Sequence, residues 1–346
     1  MRQLEITGKR SVRWADAPAP ALQGEAEAIV RPLAVATCDL DAAFLRGQIP
    51  IAEPFALGHE CVAEVLDVGD AVRTVSPGDV VVVAFQISCG TCAACRAGHT
   101  GNCTTVPRGS AYGMKPIGGD WGGALADVLR VPHADAMLVP LPDGLDPVAT
   151  ASVADNVPDG YRAVAGPLAA APGAEVLVVG GFAASVGLYA AACAVALGAS
   201  RVLYADIDAA RLERASAVGA EPLELARGSD GEPVWPLKLG RFPVTVDASG
   251  HHGGLHAALR STTADGTCTS VAIYFEPTTP VPMLEMYTRG CTLHTGRCHA
   301  RALIPEVLAL IGSGRLDPAL VTSSVVAFDA ACEALAEPVD KLVLVA

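Results

Sequence analysis

The sequence predicts an α/β fold of two domains, the first mostly antiparallel β and the second a doubly wound parallel sheet, from three observations. Short β-rich runs broken by Pro and Gly fill the first 150 or so residues, a strand–helix alternation takes over from about residue 160, and a glycine-rich turn at Gly180-Gly181 opens an apolar helix. At 346 residues the chain can hold two domains and a large buried core. Hydrophobic residues make up 51% and charged residues 18%, which suits a well-covered α/β protein better than a disordered one. A formal charge of −13 argues against nucleic acid as a partner, because phosphate binding needs clustered Lys and Arg. The first residues, Met1-Arg2-Gln3-Leu4-Glu5-Ile6, lack the apolar core of a signal peptide, so the eleven cysteines are expected to stay reduced in a cytoplasm.

In chain order, Ala28–Leu33, Glu64–Gly69, Gly78–Val83 and Ala124–Leu129 read as strands of the first domain, residues 1–155. Glu175–Val179, Arg201–Ala205, Pro243–Asp247, Thr267–Ile273 and Cys291–Thr295 read as the parallel strands of the second, residues 156–296. Val176 to Ala199 carries no charge and is long enough for a membrane span, but Gly180-Gly181 divides it into a buried strand and its covering helix, so no membrane is expected as a partner. Residues 297–346 are expected to return to the first domain.

Within the first domain Cys89, Cys92, Cys95 and Cys103 form a lobe, about residues 86–105, at spacings of three, three and eight. Four thiolates satisfy tetrahedral zinc and leave no position open for substrate, so this reads as a structural site; a disulfide-linked loop is the alternative, disfavoured in a reducing compartment.

Gly180, Gly181, Ser185, Val186 and Gly187 shape a dinucleotide turn in which the backbone can approach a pyrophosphate at a helix N-terminus. The outer glycines are seven residues apart instead of five, and Phe182 stands where glycine is expected, so a tight turn without a ligand is the competing reading. Asp206, nineteen residues after Gly187 at the end of the next strand, decides for the cofactor. Its carboxylate suits the ribose hydroxyls of NAD and would repel a 2′-phosphate, so NAD is expected over NADP. Arg211, Ser249 and Lys341 are further cofactor candidates.

With the cysteine lobe, the motif Gly58-His59-Glu60, Cys38 after an apolar run, Trp121-Gly122-Gly123, the nucleotide turn, Asp247-Ala248-Ser249-Gly250 and Lys341, the whole chain resembles a zinc-dependent alcohol dehydrogenase of the medium-chain dehydrogenase/reductase superfamily. The resemblance implies a GroES-like catalytic domain joined to a Rossmann domain, two zinc ions per chain, and a catalytic zinc in the cleft between domains. It implies Cys38 and His59 as ligands, Glu60 as an exchangeable or adjacent carboxylate, and Asp155 as third ligand, with Asp159 the competitor in a Pro-Asp-Gly turn. The activity implied is reversible hydride transfer between a primary or secondary alcohol and NAD. A polyol dehydrogenase or other reductase on the same scaffold, or a nucleotide-binding scaffold without turnover, are the alternatives.

The chain departs from the family at Leu40 and Ala43, where a hydroxyl and an imidazole usually relay the substrate proton. Asp39 is the expected substitute, with a role in orienting His59 as the lesser alternative. Phe44, Phe85, Tyr112 and Trp121 match regions that line the family's pocket and favour an apolar alcohol over a sugar. The family also implies a homodimer or homotetramer, joined through the edge strand near Cys291–Thr295.

Overall fold

The computed structural model describes residues 1–51, 53–337 and 340–346, which divide into two compact units. One comprises Met1–Pro158, Cys298–Gly312 and Thr322–Ala346; the other comprises Asp159–Arg297 and Ser313–Val321.

The first unit begins with β1 (Arg2–Gly8) and β2 (Ser11–Asp16), an antiparallel hairpin, followed by the long β3 (Ala28–Ala36). The short β4 (Phe55–Ala56) pairs with β1, and β5 (Glu60–Val68) runs antiparallel to β3. Pro32 cannot donate to the ladder, and the β3–β5 register shifts between Pro32 and Ala34. Beyond that shift Ala36 faces Glu60, so the end of β3 and the start of β5 lie side by side. The all-valine β6 (Val80–Val83) pairs with β5, β7 (Leu129–Val131) with β3, and β8 (Leu138–Pro140) with β6.

The expected strand Ala124–Leu129 is only partly a strand. Ala124 N and Leu125 N donate to Gly58 O and Leu57 O at 2.8 and 3.1 Å, while Leu125 O accepts from Leu4 N at 2.7 Å. The segment is thus shared between two neighbours, so continuous pairing starts only at Leu129. At Gly123 a Cβ would lie 2.3 Å from Leu57 O, and this close approach requires glycine.

The second unit is a six-stranded parallel sheet of β9 (Val176–Val179), β10 (Val202–Asp206), β11 (Glu221–Glu224), β12 (Phe242–Asp247), β13 (Thr262–Ser270) and β14 (Thr292–Thr295). Its order, β11-β10-β9-β12-β13-β14, reverses direction between β9 and β12, which is the doubly wound arrangement. The uncharged stretch from Val176 resolves into buried β9 and the 13-residue helix Ala184–Ala196. Among the described residues no helix is long and apolar enough to cross a membrane.

The chain returns to the first unit through helix Ala300–Gly312, then β15 (Ser324–Ala327) and β16 (Leu342–Val345). There β16 pairs with β3, Val343 facing Ala36. The intervening Ser313–Val321 belongs to the second unit rather than to this return. Its turn Pro318–Val321 packs on helix Ala184–Ala196, and Tyr189 Oη donates to Pro318 O at 3.4 Å.

Candidate active site and metal centres

At the end of β3, Cys38 adopts an extended conformation and caps the helix Asp39–Leu45. Its sulfur accepts from Leu40 N at 3.5 Å, and its own N–H donates to Asp41 Oδ2 at 2.9 Å. The neighbouring β5 begins at Glu60, which sets His59 beside Cys38. Gly58, at φ +93°, makes the turn before it; a Cβ there would meet Leu125 N at 2.9 Å. Asp155 ends the turn Ala151–Ala154, just ahead of helix Asn156–Ala170. One donor atom from each of Cys38, His59, Glu60 and Asp155 lies within 4.8 Å of the others, and all four residues are buried.

His59 is wholly buried, with Nε2 3.4 Å from Asp155 Oδ2 and Nδ1 3.6 Å from Asp41 Oδ1. Neither ring nitrogen has a hydrogen-bond partner among the described residues, which is costly for a buried imidazole. Burial would depress its pKa, yet the surrounding Asp41, Asp155 and Cys38 hold it well above the usual range. Burial also pushes the Cys38 thiol up to about 12, so its thiolate needs a cation in place of the proton. An orphaned imidazole nitrogen facing a thiol and carboxylates is a donor set that fits zinc.

Glu60 is occupied from the other side. Lys341, wholly buried, donates to both Glu60 carboxylate oxygens at 2.8 Å, to Thr37 O at 2.7 Å and to Asn156 Oδ1 at 2.8 Å. The ammonium of Lys341, expected at the cofactor, is bonded here to groups of the first unit. Burial raises the Glu60 carboxyl, and Lys341 opposes that rise. Asp39 lies buried at the start of the helix, and Asp41, two residues on, faces His59 Nδ1.

The Phe85 ring lies 5.5 Å from the His59 ring. Phe44 instead packs edge-on against Phe55 at 5.3 Å in the core, and Tyr112 is buried with its hydroxyl on Arg130 O at 3.0 Å. Trp121, partly buried, bonds Gly118 O at 3.1 Å. Phe44 and Tyr112 are thus core residues, and Phe85 is the aromatic beside the donor set.

In the lobe, donor atoms of Cys89, Cys92, Cys95 and Cys103 again lie within 4.8 Å of one another, and none of the four is in a disulfide. Backbone amides converge on the sulfurs: Cys92 N on Cys89 at 3.3 Å, Cys95 N on Cys92 and Cys89 N on Cys103, both at 3.4 Å. Burial opposes ionisation of Cys89, but hydrogen bonds from Thr105, Thr91 and Cys92 bring its thiol down to about 5. Four sulfurs with preformed N–H donors fit a closed zinc site.

In the second unit Gly180 and Gly181 leave β9 where no side chain fits. A Cβ on Gly180 would lie 2.3 Å from Asp206 Oδ2, and one on Gly181 2.6 Å from Ser249 O. The two extra turn residues are stitched to the end of β12, with Phe182 N on Ser249 O and Ala183 N on Ala248 O, both at 2.9 Å. Ser185, Val186 and Gly187 lie buried in the first turns of the helix. Asp206 Oδ1 accepts from Ile207 N and Asp208 N at 2.7 and 3.0 Å, and Oδ2 from Tyr204 Oη at 3.2 Å. Arg211 Nη1 stands 3.6 Å from Asp206 Oδ2 and donates to Gly181 O at 2.9 Å. Burial raises the Asp206 carboxyl, against the pull of Arg211. A bare glycine cradle beside a fixed carboxylate at the end of β10 fits a dinucleotide. The Ser249 hydroxyl is bonded to buried Asp247, which also accepts from Ser270 Oγ at 2.7 Å and Tyr274 Oη at 2.9 Å.

Sequence reasoning did not single out Asp41, Asn156 or Tyr204. The spacing Cys38-x-x-Asp41 before a helix carried a capping-box signal that could have found Asp41.

Comparison with known proteins gives a consistent result. The alcohol dehydrogenase GroES-like domain model matches residues 24–143, and the zinc-binding dehydrogenase model matches residues 185–313. A protein of Mycobacterium tuberculosis, described as a probable zinc-binding alcohol dehydrogenase, is 34% identical over 318 residues, covering 92% of this chain and 80% of that one. The glutathione-independent formaldehyde dehydrogenase of Pseudomonas aeruginosa is 35% identical over 66% of this chain and 58% of its own length. Among solved structures, the alcohol dehydrogenase of Thermus sp. ATN1 superposes with a TM-score of 0.85 at 32% identity, covering 100% of this chain and 99% of that one.

Proposed function

The chain belongs to the zinc-dependent alcohol dehydrogenases of the medium-chain dehydrogenase/reductase superfamily, and on that premise we propose that it interconverts a primary or secondary alcohol and its carbonyl with NAD(H). The observation that carries this reading is the buried set of Cys38, His59 and Asp155, in which His59 Nε2 has no hydrogen-bond partner among the described residues. Those three residues would hold a catalytic zinc, and the four lobe cysteines a structural one. When bound, zinc supplies Lewis acidity toward a substrate oxygen and NAD supplies the hydride acceptor.

The chain's own residues do the rest. Asp41 faces His59 Nδ1, so the imidazole presents Nε2 to the donor set. Lys341 holds Glu60 back through both carboxylate oxygens, which leaves a fourth position to substrate. Phe85 beside His59 favours an apolar carbinol carbon. With Leu40 and Ala43 at the usual relay positions, Asp39 takes the substrate proton outward. At the other site Gly180 and Gly181 admit the pyrophosphate, while Asp206, fixed by Tyr204 Oη and two backbone amides, accepts from the ribose hydroxyls and disfavours the 2′-phosphate of NADP.

Exposed Met283, Leu284 and Tyr287, on the helix that leads into the edge strand β14, support a homodimer formed through that edge, with a tetramer as its possible doubling.

The test is metal analysis with a panel of alcohols and both cofactors. Two zinc ions per chain and NADH production with a kcat/KM preference for NAD are expected. Cofactor binding without turnover, or a preference for NADP, would overturn the reading.

A further inference from the structure

Asn156 follows Asp155 directly, opens the helix Asn156–Ala170 and is almost completely buried. Its carboxamide touches three charged or ionisable groups at once. Oδ1 accepts from Lys341 Nζ at 2.8 Å, while Nδ2 reaches Asp155 Oδ2 at 3.1 Å and Cys38 Sγ at 3.4 Å. The orientation follows from chemistry: an ammonium can only donate, so the amide atom facing Lys341 is the oxygen, and the NH₂ group is left to face the sulfur and the carboxylate. An amide NH₂ has two hydrogens, one for each acceptor.

We propose that Asn156 is a positioning residue for the metal-binding set, holding Cys38 and Asp155 in register through its two N–H groups while its oxygen is anchored on Lys341. This rests on the reading of Cys38, His59 and Asp155 as zinc ligands. Two anionic ligands brought together in a buried site repel each other, and a donor shared between them offsets that repulsion without adding charge. Donation to the Cys38 sulfur also draws electron density from the thiolate, which leaves it a weaker donor and any metal beside it a stronger Lewis acid. Through Lys341 the same amide is tied to Glu60, so one side chain links the ligand set to the ion pair that restrains the fourth carboxyl.

The test compares wild-type holoenzyme with Asn156→Ala and Asn156→Asp. The alanine variant loses every bond; the aspartate variant is nearly isosteric, keeps an acceptor for Lys341, loses the donors and adds a negative charge beside Asp155 and Cys38. Zinc retention is read by competition with a chromophoric chelator, with the lobe zinc as internal reference. Cobalt substitution then reports on Cys38 through its thiolate charge-transfer band. Asn156→Ala is expected to hold the catalytic zinc roughly 10–100-fold more weakly with the lobe zinc unchanged. In both variants the cobalt–thiolate band is expected to move to lower energy. If the alanine variant does not fold, the band of Asn156→Asp decides. A catalytic zinc held within about twofold of wild type, or a band that does not move, would overturn the inference. A wild-type protein that takes up only the lobe zinc would instead remove the reading of the site, and this inference with it.

Discussion

Lys341 and Glu60 lie 281 residues apart in the chain, yet their side chains form a wholly buried ion pair with the ammonium nitrogen 2.8 Å from each carboxylate oxygen. Removing one member of such a pair strands the other. Lys341→Met should therefore destabilise the protein by about 3–5 kcal/mol. Adding Glu60→Gln should recover part of that loss, because it removes the stranded charge. Chemical denaturation of the single and double variants measures both, and a single variant as stable as wild type would contradict the pairing.

Asp41 Oδ1 lies 3.6 Å from His59 Nδ1. Asp41→Asn should lower catalytic zinc affinity about 10–100-fold while sparing the lobe. Chelator competition reads this directly. An Asp39→Asn variant should retain both zincs but lose turnover and alter the pH profile; unchanged kcat and pH dependence would rule out Asp39 as the relay.

Tyr204 and Asp206 set the cofactor site. Asp206→Ala should reduce kcat/KM for NAD by about 10–100-fold, the cost of one or two hydrogen bonds to a charged acceptor, and should narrow the gap to NADP. Tyr204→Phe frees Asp206 Oδ2 from its hydroxyl and should raise KM for NAD with kcat little changed. Steady-state kinetics with both cofactors checks the pair.

Cys95→Ser should remove the lobe zinc and lower the midpoint of thermal unfolding, a loss of about 3 kcal/mol if zinc is held near 100 times its dissociation constant. A folded variant that lacks lobe zinc but has no turnover would contradict a purely structural role.

Buried Asp247 supplies a pH dependence. Burial raises its carboxyl above the ordinary value of 3.8, although Ser249, Ser270 and Tyr274 partly oppose the rise. Between the unfolded and folded values the native state binds more protons than the unfolded one. Its contribution to stability is thus complete below about 3.8 and is lost as pH rises through the elevated native value. Asp247→Asn does not titrate, so its stability relative to wild type should climb across that window and then level off. Denaturant titrations at a series of pH values test this.

The cysteine lobe and the doubly wound sheet were legible in the sequence for a shared reason: their signals are local. Four cysteines within fifteen residues, or a β-branched run followed by glycines and an apolar helix, need no knowledge of distant neighbours. The partners of Lys341 were not legible, because only the docking of β16 on β3 brings it to Glu60. Asp39 and Asp41 look alike in sequence, and the capping geometry at Cys38 selects the second to face His59. Phe44 and Tyr112 carried the right residue types for a pocket, but each found an apolar or backbone partner in the core first.

The closing strand also imposes an order on biosynthesis. Lys341 immediately precedes β16, so Glu60 acquires its counter-ion only after 281 further residues have been added. Until then no buried ammonium opposes the rise that burial imposes on the Glu60 carboxyl, which holds its proton instead. Removal of Lys341 with β16 would return Glu60 to that condition.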